Sequence, residues 1–241
     1  MALPMMNAPT YNLVIPSSGV SVKYRPFLIK EEKALLIAQQ SEDPVVMVDT
    51  LKNVIKSCVI DKIDMDKLAT FDLEYMFTQV RAKSVGETVD LYFPCDVDHG
   101  EEDNEKARVK ITLDLTQIQV FKPEGHANKI ELFGDVGVKM KYPTLDIIKK
   151  LEQLDTEDLE KLFEVVANSI EYIYQGDEIF YAKEQKHEEL MQFLNNLTSE
   201  QFLKVQKFFE TMPRIKQDVT YDCPVCGKHH EKTLEGLQSF F

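Results

Sequence analysis

Apolar and polar positions along the chain change period several times, and each change marks a new element. Residues 10–24, "TYNLVIPSSGVSVKY", place Leu13, Val14, Val20 and Val22 on either side of a Pro-Ser-Ser-Gly turn, which predicts two short strands. From Arg25 the spacing is helical. "FLIKEEKALLIAQQ" and "PVVMVDTLKNVIKSCVI" each predict a helix, the second opened by Asp43 as N-cap and Pro44 in the first turn. Val48, Leu51, Val54, Ile55 and Cys58 share one face of that second helix. "TFDLEYMFTQVRAKSVGE" predicts a third, with Leu73, Met76, Phe77 and Val80 inward and Gly86 near its end. After Gly86 the period falls to two. "ETVDLYFPC" and "ARVKITLDLTQIQVF" predict a hairpin with a long acidic loop, "DVDHGEEDNEK". "KIELFGDVGVKMKY" predicts another, with Ile130, Leu132, Val136, Val138 and Met140 alternating around a II′-type turn at Gly134-Asp135.

The C-terminal half returns to helical spacing. "PTLDIIKKLEQL" is followed by "DTEDLEKLFEVVANSIEYIY", where Asp155 is the expected N-cap and Leu159, Leu162, Phe163, Val166 and Ile170 form the apolar stripe. "KHEELMQFLNNL" and "TSEQFLKVQKFFETMP" predict two further helices, the latter with a Thr198/Gln201 capping box and a stop at Pro213. A strand, "DVTYDC", a cysteine knuckle and a returning strand from Glu231 end the chain. The expected fold is α+β: helical lobes with two or three antiparallel β-hairpins and a C-terminal zinc-ribbon-like hairpin. The expected division is an N-terminal arm or hairpin at 1–24, a helical lobe plus β-hairpins at 25–142, a helical lobe at 143–216 and a knuckle hairpin at 217–241, within one compact unit. A weak twofold echo runs through it, since a cysteine-bearing hairpin follows helices at 86–122 and again at 217–241.

Composition narrows the function. A chain of 241 residues with 44% hydrophobic content can bury a sizeable core. Its net charge of −13, from 41 acidic against 28 basic residues, argues against nucleic acid or an anionic membrane as partner and favours protein contacts. No signal peptide is recognised, and no apolar run approaches the roughly 18 residues that span a bilayer, so a cytosolic protein is expected. Four cysteines, two of them in C-x-x-C, point to reduced thiols and metal rather than disulfides.

The chemistry concentrates in "CPVCGKHH". A C-x-x-C turn lets two thiolates reach one zinc ion, and Gly227 permits the tight knuckle. The first expectation is zinc on Cys223 and Cys226 with one or both of His229 and His230. Adjacent residues of a strand point to opposite faces, however, so both histidines cannot easily reach one ion. The second expectation takes Cys95 and His99 of "FPCDVDHGEE" as the remaining donors, clipping two hairpins together. The bland alternative is a pair of ordinary thiols. A structural role is preferred for the metal because no general base accompanies the motif. A redox role would want the cysteines at a helix N-terminus in a βαβ unit. No phosphate- or dinucleotide-binding glycine motif occurs, and "HEELM" lacks the second histidine of a zincin. The acidic loop lacks EF-hand spacing. His126 and His187 are read as solvent-facing and Cys58 as core. Phe240 and Phe241 either cover the knuckle hairpin or serve as apolar anchors for a partner.

The stretches "YRPFLIKEEKALLIAQQSED", "LATFDLEYMFTQVRAKSVGE" and "CPVCGKHHEKTLEGLQSFF", in this order along most of the chain, resemble the T4-type phage baseplate hub family. The chain departs from that pattern at the central hairpin, where "CDVDHGEED" carries Cys95 alone instead of a fuller cysteine pair. The resemblance implies a non-enzymatic hub subunit or hub assembly protein, made in the host cytoplasm and acting in the virion tail baseplate with other phage baseplate hub proteins. Two other classes are weighed against it. One is a small zinc-dependent hydrolase or nuclease using the terminal Cys/His group and acids from residues 96–103. The other is a zinc-ribbon adaptor for a host protein.

Overall fold

The computed structural model describes residues 7–41, 43–147 and 158–240, and shows an α+β chain with several small antiparallel sheets. Strands β1 (Tyr11–Val14) and β2 (Ser21–Tyr24) form the first hairpin. Helices α1 (Ile29–Ser41), α2 (Pro44–Cys58) and α3 (Thr70–Ser84) follow. Asp43 caps α2 as expected, its carboxylate accepting from the Val45 and Val46 N–H groups. Leu51, Val54, Ile55 and Cys58 of α2 meet Leu73, Met76, Phe77 and Val80 of α3 and Leu13, Ile15, Val22 and Tyr24 of the hairpin in one buried cluster. The fully buried Asp72 ties these parts together. Its carboxylate accepts from Ser17 N–H in the hairpin turn (2.8 Å) and from Ala69 N–H at the start of α3 (3.1 Å).

The second cluster joins two hairpins distant in sequence. Strand β3 (Thr88–Phe93) pairs with β4 (Val109–Asp114), and the acidic loop between them folds a short helix, α4 (Glu101–Lys106). Strand β10 (Arg214–Asp222) pairs along its length with β11 (His229–Glu235) and at its start with β5 (Val120–Phe121). Phe93, Leu113, Leu115, Ile118, Ile215, Val219, Tyr221, Leu234 and Phe240 fill the space between them. Phe240 is completely buried in this core, so of the two roles expected for it the ring covers the hairpins and is not presented as an exposed anchor. Phe241 lies outside the described residues.

The third cluster forms under a four-stranded sheet of order β6-β7-β8-β9. Strands β6 (Lys129–Phe133) and β7 (Val136–Met140) are the hairpin expected around Gly134-Asp135. Helices α5 (Asp158–Ser169), α6 (His187–Asn195) and α7 (Ser199–Glu210) cover the inner face, and Thr198 and Gln201 make the expected capping box of α7. The expected cap at Asp155 and most of the helix expected over 143–154 lie outside the described residues. One expectation fails. The helix predicted to run through Tyr174 ends at Ser169, and β8 (Ile170–Gln175) and β9 (Glu178–Tyr181) form a hairpin about Gly176-Asp177. "IEYIY" alternates, is rich in β-branched and aromatic residues, and finds β7 as a ready partner, so tertiary pairing overrides the helical stripe that Ile170 only terminates.

His126 is likewise held rather than free: its Nδ1 lies 3.0 Å from Thr211 Oγ1 and its Nε2 3.0 Å from Tyr142 Oη, against the Phe208 ring. His187 is half-exposed as expected, beside Glu164 at 2.8 Å. Among the described residues no helix is long and apolar enough to cross a membrane.

Two outcomes are expected from this packing. A Cβ at Gly137 would collide with the Tyr174 hydroxyl and the Ile130 carbonyl oxygen, so Gly137→Ala should cost about 1–3 kcal/mol in urea unfolding; an unchanged midpoint would contradict the packing of this sheet. Burial opposes ionisation of Glu31, but hydrogen bonds from the Arg25 guanidinium and the Leu28 N–H outweigh it and bring its pKa down to about 2. A depressed carboxylate contributes stability that is present above its unfolded pKa, near 4.5, and lost as pH falls toward 2. Chemical denaturation at stepped pH should therefore show Glu31→Gln less stable than the parent near neutrality, with the gap closing between pH 4.5 and 2.

Candidate metal centre

The two hairpins of the second core meet at their tips, and each tip brings two donors. On one side Cys95 follows β3 and His99 precedes α4. Asp98 Oδ1 accepts from Gly100 N–H (2.9 Å) and Asn104 Nδ2 (3.0 Å), and His99 N–H donates to Asn104 Oδ1 (2.9 Å), so the loop that carries the imidazole is fixed by its own polar residues. On the other side Cys223 and Cys226 sit in the turn between β10 and β11. Cys223 N–H donates to the Lys228 carbonyl and Gly227 N–H to the Cys223 carbonyl, each at 2.9 Å. Gly227 adopts φ +72°, a left-handed conformation that glycine takes without strain.

The tips are locked by contacts around the donors. Tyr221 stacks on Phe93 and on His230, with centroids at 5.5 and 4.9 Å, and its hydroxyl donates to the Pro94 carbonyl at 3.0 Å. Lys228 Nζ bridges both oxygens of Asp96, at 2.9 and 2.8 Å. With the backbones so held, one ligand atom each from Cys95, His99, Cys223 and Cys226 lies within 4.8 Å of all the others.

The spacing suits zinc. Zn–S bonds of about 2.3 Å and Zn–N bonds of about 2.0–2.1 Å in a tetrahedron imply S···S edges of about 3.8 Å and S···N edges of about 3.5 Å. Cys95 Sγ lies 3.9 Å from Cys226 Sγ, and Cys223 Sγ lies 3.5 Å from His99 Nε2. Cys95 and Cys223 each also receive a backbone N–H from two residues on: Val97 donates to Cys95 Sγ at 3.4 Å, and the Val225 N–H acts on Cys223. Burial pushes the Cys223 thiol up, yet the Cys226 and Val225 N–H groups and the neighbouring Cys226 and Cys95 thiols outweigh it and bring it down to about 6. Burial and the crowding of Cys223 and Cys226 raise Cys95. The two shifts run in opposite directions, so Cys223 is poised to lose its proton near neutral pH while Cys95 is held protonated beside it.

The two terminal histidines part company along β11. His229 points outward, with Nδ1 2.7 Å from Asp222 Oδ1. His230 is buried, with Nε2 3.3 Å from Cys95 Sγ and Nδ1 3.7 Å from Asp96, so it stands behind Cys95 in a second group of Cys95, Asp96 and His230. Strand alternation gave the signal for this split; nothing local in the sequence indicated that Tyr221 would hold His230 and Pro94 together. An open cleft lined by Asp96, Asp98, Asn104, Glu105 and Arg108 adjoins Cys95.

Comparisons with curated proteins and with solved structures give no match. The family model described as T4 bacteriophage base plate protein matches residues 8–241, nearly the whole chain. That span takes in all three cores and both hairpin tips, and the chain therefore belongs to the T4 bacteriophage base plate protein family.

Proposed function

We propose that this baseplate protein is a subunit or assembly factor of the hub. It acts without enzymatic chemistry, through contacts with other hub proteins, in the host cytoplasm during assembly and in the virion tail. The observation that carries this reading is the family match over 8–241. The sequence adds to it, because the charge of −13 favours protein partners over nucleic acid or membrane.

Within that role one zinc ion, held by Cys95, His99, Cys223 and Cys226, acts as a structural clip between the two hairpins. The mutual closeness of these four donor atoms, with His229 turned outward onto Asp222 and His230 grouped only with Cys95 and Asp96, supports this set over one that uses His229 and His230. The metal would supply local folding free energy at tips too polar to bury an apolar core of their own. Among the described residues, the cleft beside Cys95, lined by Asp96, Asp98, Glu105 and Arg108, is the feature that favours a hydrolase instead. Four protein donors fill a tetrahedral shell, however, and leave no position for an attacking water.

Metal analysis of the purified chain should find about one equivalent of zinc. Cys95→Ser, His99→Ala and Cys223→Ser should each lose it or bind it at least tenfold more weakly, while His229→Ala retains it. Zinc lost from His229→Ala but kept by His99→Ala would reject the ligand set. For the role itself, the tagged chain should co-purify with hub proteins from infected cells, and tails should fail to complete a hub in its absence. Normal hubs assembled without it would contradict the proposal.

A further inference from the structure

Two of the sheet edges among the described residues are protected. The outer edge of β6 is covered where Lys204 of α7 donates to the Leu132 carbonyl at 2.9 Å, and β11 carries His229, Glu231, Lys232 and Glu235 along its length. Strand β9 differs. It ends the four-stranded sheet, and all four of its residues are exposed, including Ile179 at 50%, Phe180 at 40% and Tyr181 at 41%. Natural proteins shield such an edge with charge, proline or a covering element unless a strand is to be added there.

The hydrogen-bond phase identifies which groups are free. Gly176 N–H donates to the Asp135 carbonyl, so Gly176, Tyr174 and Tyr172 direct their backbone groups toward β7, and Gln175 and Ile173 direct theirs toward β9. Gln175 and Ile173 pair with Glu178 and Phe180. The N–H and C=O groups of Ile179 and the N–H of Tyr181 therefore point away from the sheet, while the Tyr181 carbonyl turns into the short 3-10 helix Ala182–Glu184 that follows. Their side chains lie on the outer face with Tyr172 and Tyr174, Tyr172 and Tyr181 meeting edge to face at 5.9 Å. Tyrosine supplies large contact area at low entropic cost, which suits a protein interface.

We propose that β9 is a strand-addition site for an extended segment of another baseplate protein. That segment alternates apolar residues with lysine or arginine. The basic character follows from Asp177 and Glu178 at the start of the edge and from the chain's charge of −13, which also disfavours a second copy of the same acidic chain. The choice of partner rests on the baseplate reading, whereas the edge itself does not.

The test uses the full chain with overlapping peptides from the other baseplate proteins of the same phage. Tyr181 already sits at φ −68°, the value proline imposes, so Tyr181→Pro removes an outward N–H without breaking the β8 ladder. Tyr181→Ala removes the ring and keeps the N–H. At least one lysine- or arginine-bearing peptide should bind the parent, and hydrogen exchange should slow at the Ile179 and Tyr181 amides on binding. Tyr181→Pro should bind about tenfold more weakly than Tyr181→Ala, with both variants folded. Equal binding by the two variants, protection arising elsewhere, pairing only with a second copy, or no peptide bound at all would each overturn the site. Continued co-purification of Tyr181→Pro with hub proteins would leave the hub role intact while rejecting this edge.

Discussion

Burial of two hairpins against one shared core is the constraint from which the rest of this site follows. Leu115, Ile118, Ile215 and Phe240 are almost wholly inaccessible, and each such side chain contributes on the order of 1.5–3 kcal/mol when taken out of water. Once β3–β4 and β10–β11 are committed to that core, their tips have little freedom. Tyr221, stacked between Phe93 and His230 and donating to the Pro94 carbonyl, carries the alignment outward from core to tip. Three thiols and an imidazole then gather because the backbones beneath them have already converged.

The tips themselves could not be held by apolar packing. Around the donors stand the exposed polar side chains of Asp96, Asp98, Glu105 and Lys228. Surface ion pairs such as Lys228–Asp96 contribute little in water. The proposed metal would hold such a region, since a few soft donors can replace a core that the composition does not supply.

Elements set by local rules were legible in the sequence. Asp43 with Pro44, Thr198 with Gln201, and Gly134-Asp135 each specify a cap or turn within a few residues, and each appears where expected. What was not legible depends on partners far along the chain. Residues 170–174 could continue a helix or form a strand, and β7 decides the matter. Cys95 and Cys226 are 131 positions apart, so the spacing within "CPVCGKHH" naturally drew attention to the two adjacent histidines, although alternation along β11 already implied that only one could face inward. Phe240 reads as a loose terminal aromatic until the cavity between two hairpins is known. His126 reads as a loop residue until Tyr142 and Thr211 arrive on either side of it.

X-ray absorption at the zinc edge of the purified chain tests the central claim most directly, because it counts the sulfur and nitrogen neighbours of the ion. The expected spectrum has three sulfurs at about 2.3 Å and one nitrogen at about 2.0–2.1 Å, the shell of Cys95, Cys223, Cys226 and His99. A shell of two sulfurs and two nitrogens would contradict it, returning the site to the terminal knuckle and its histidines, and a chain without zinc would remove the clip altogether.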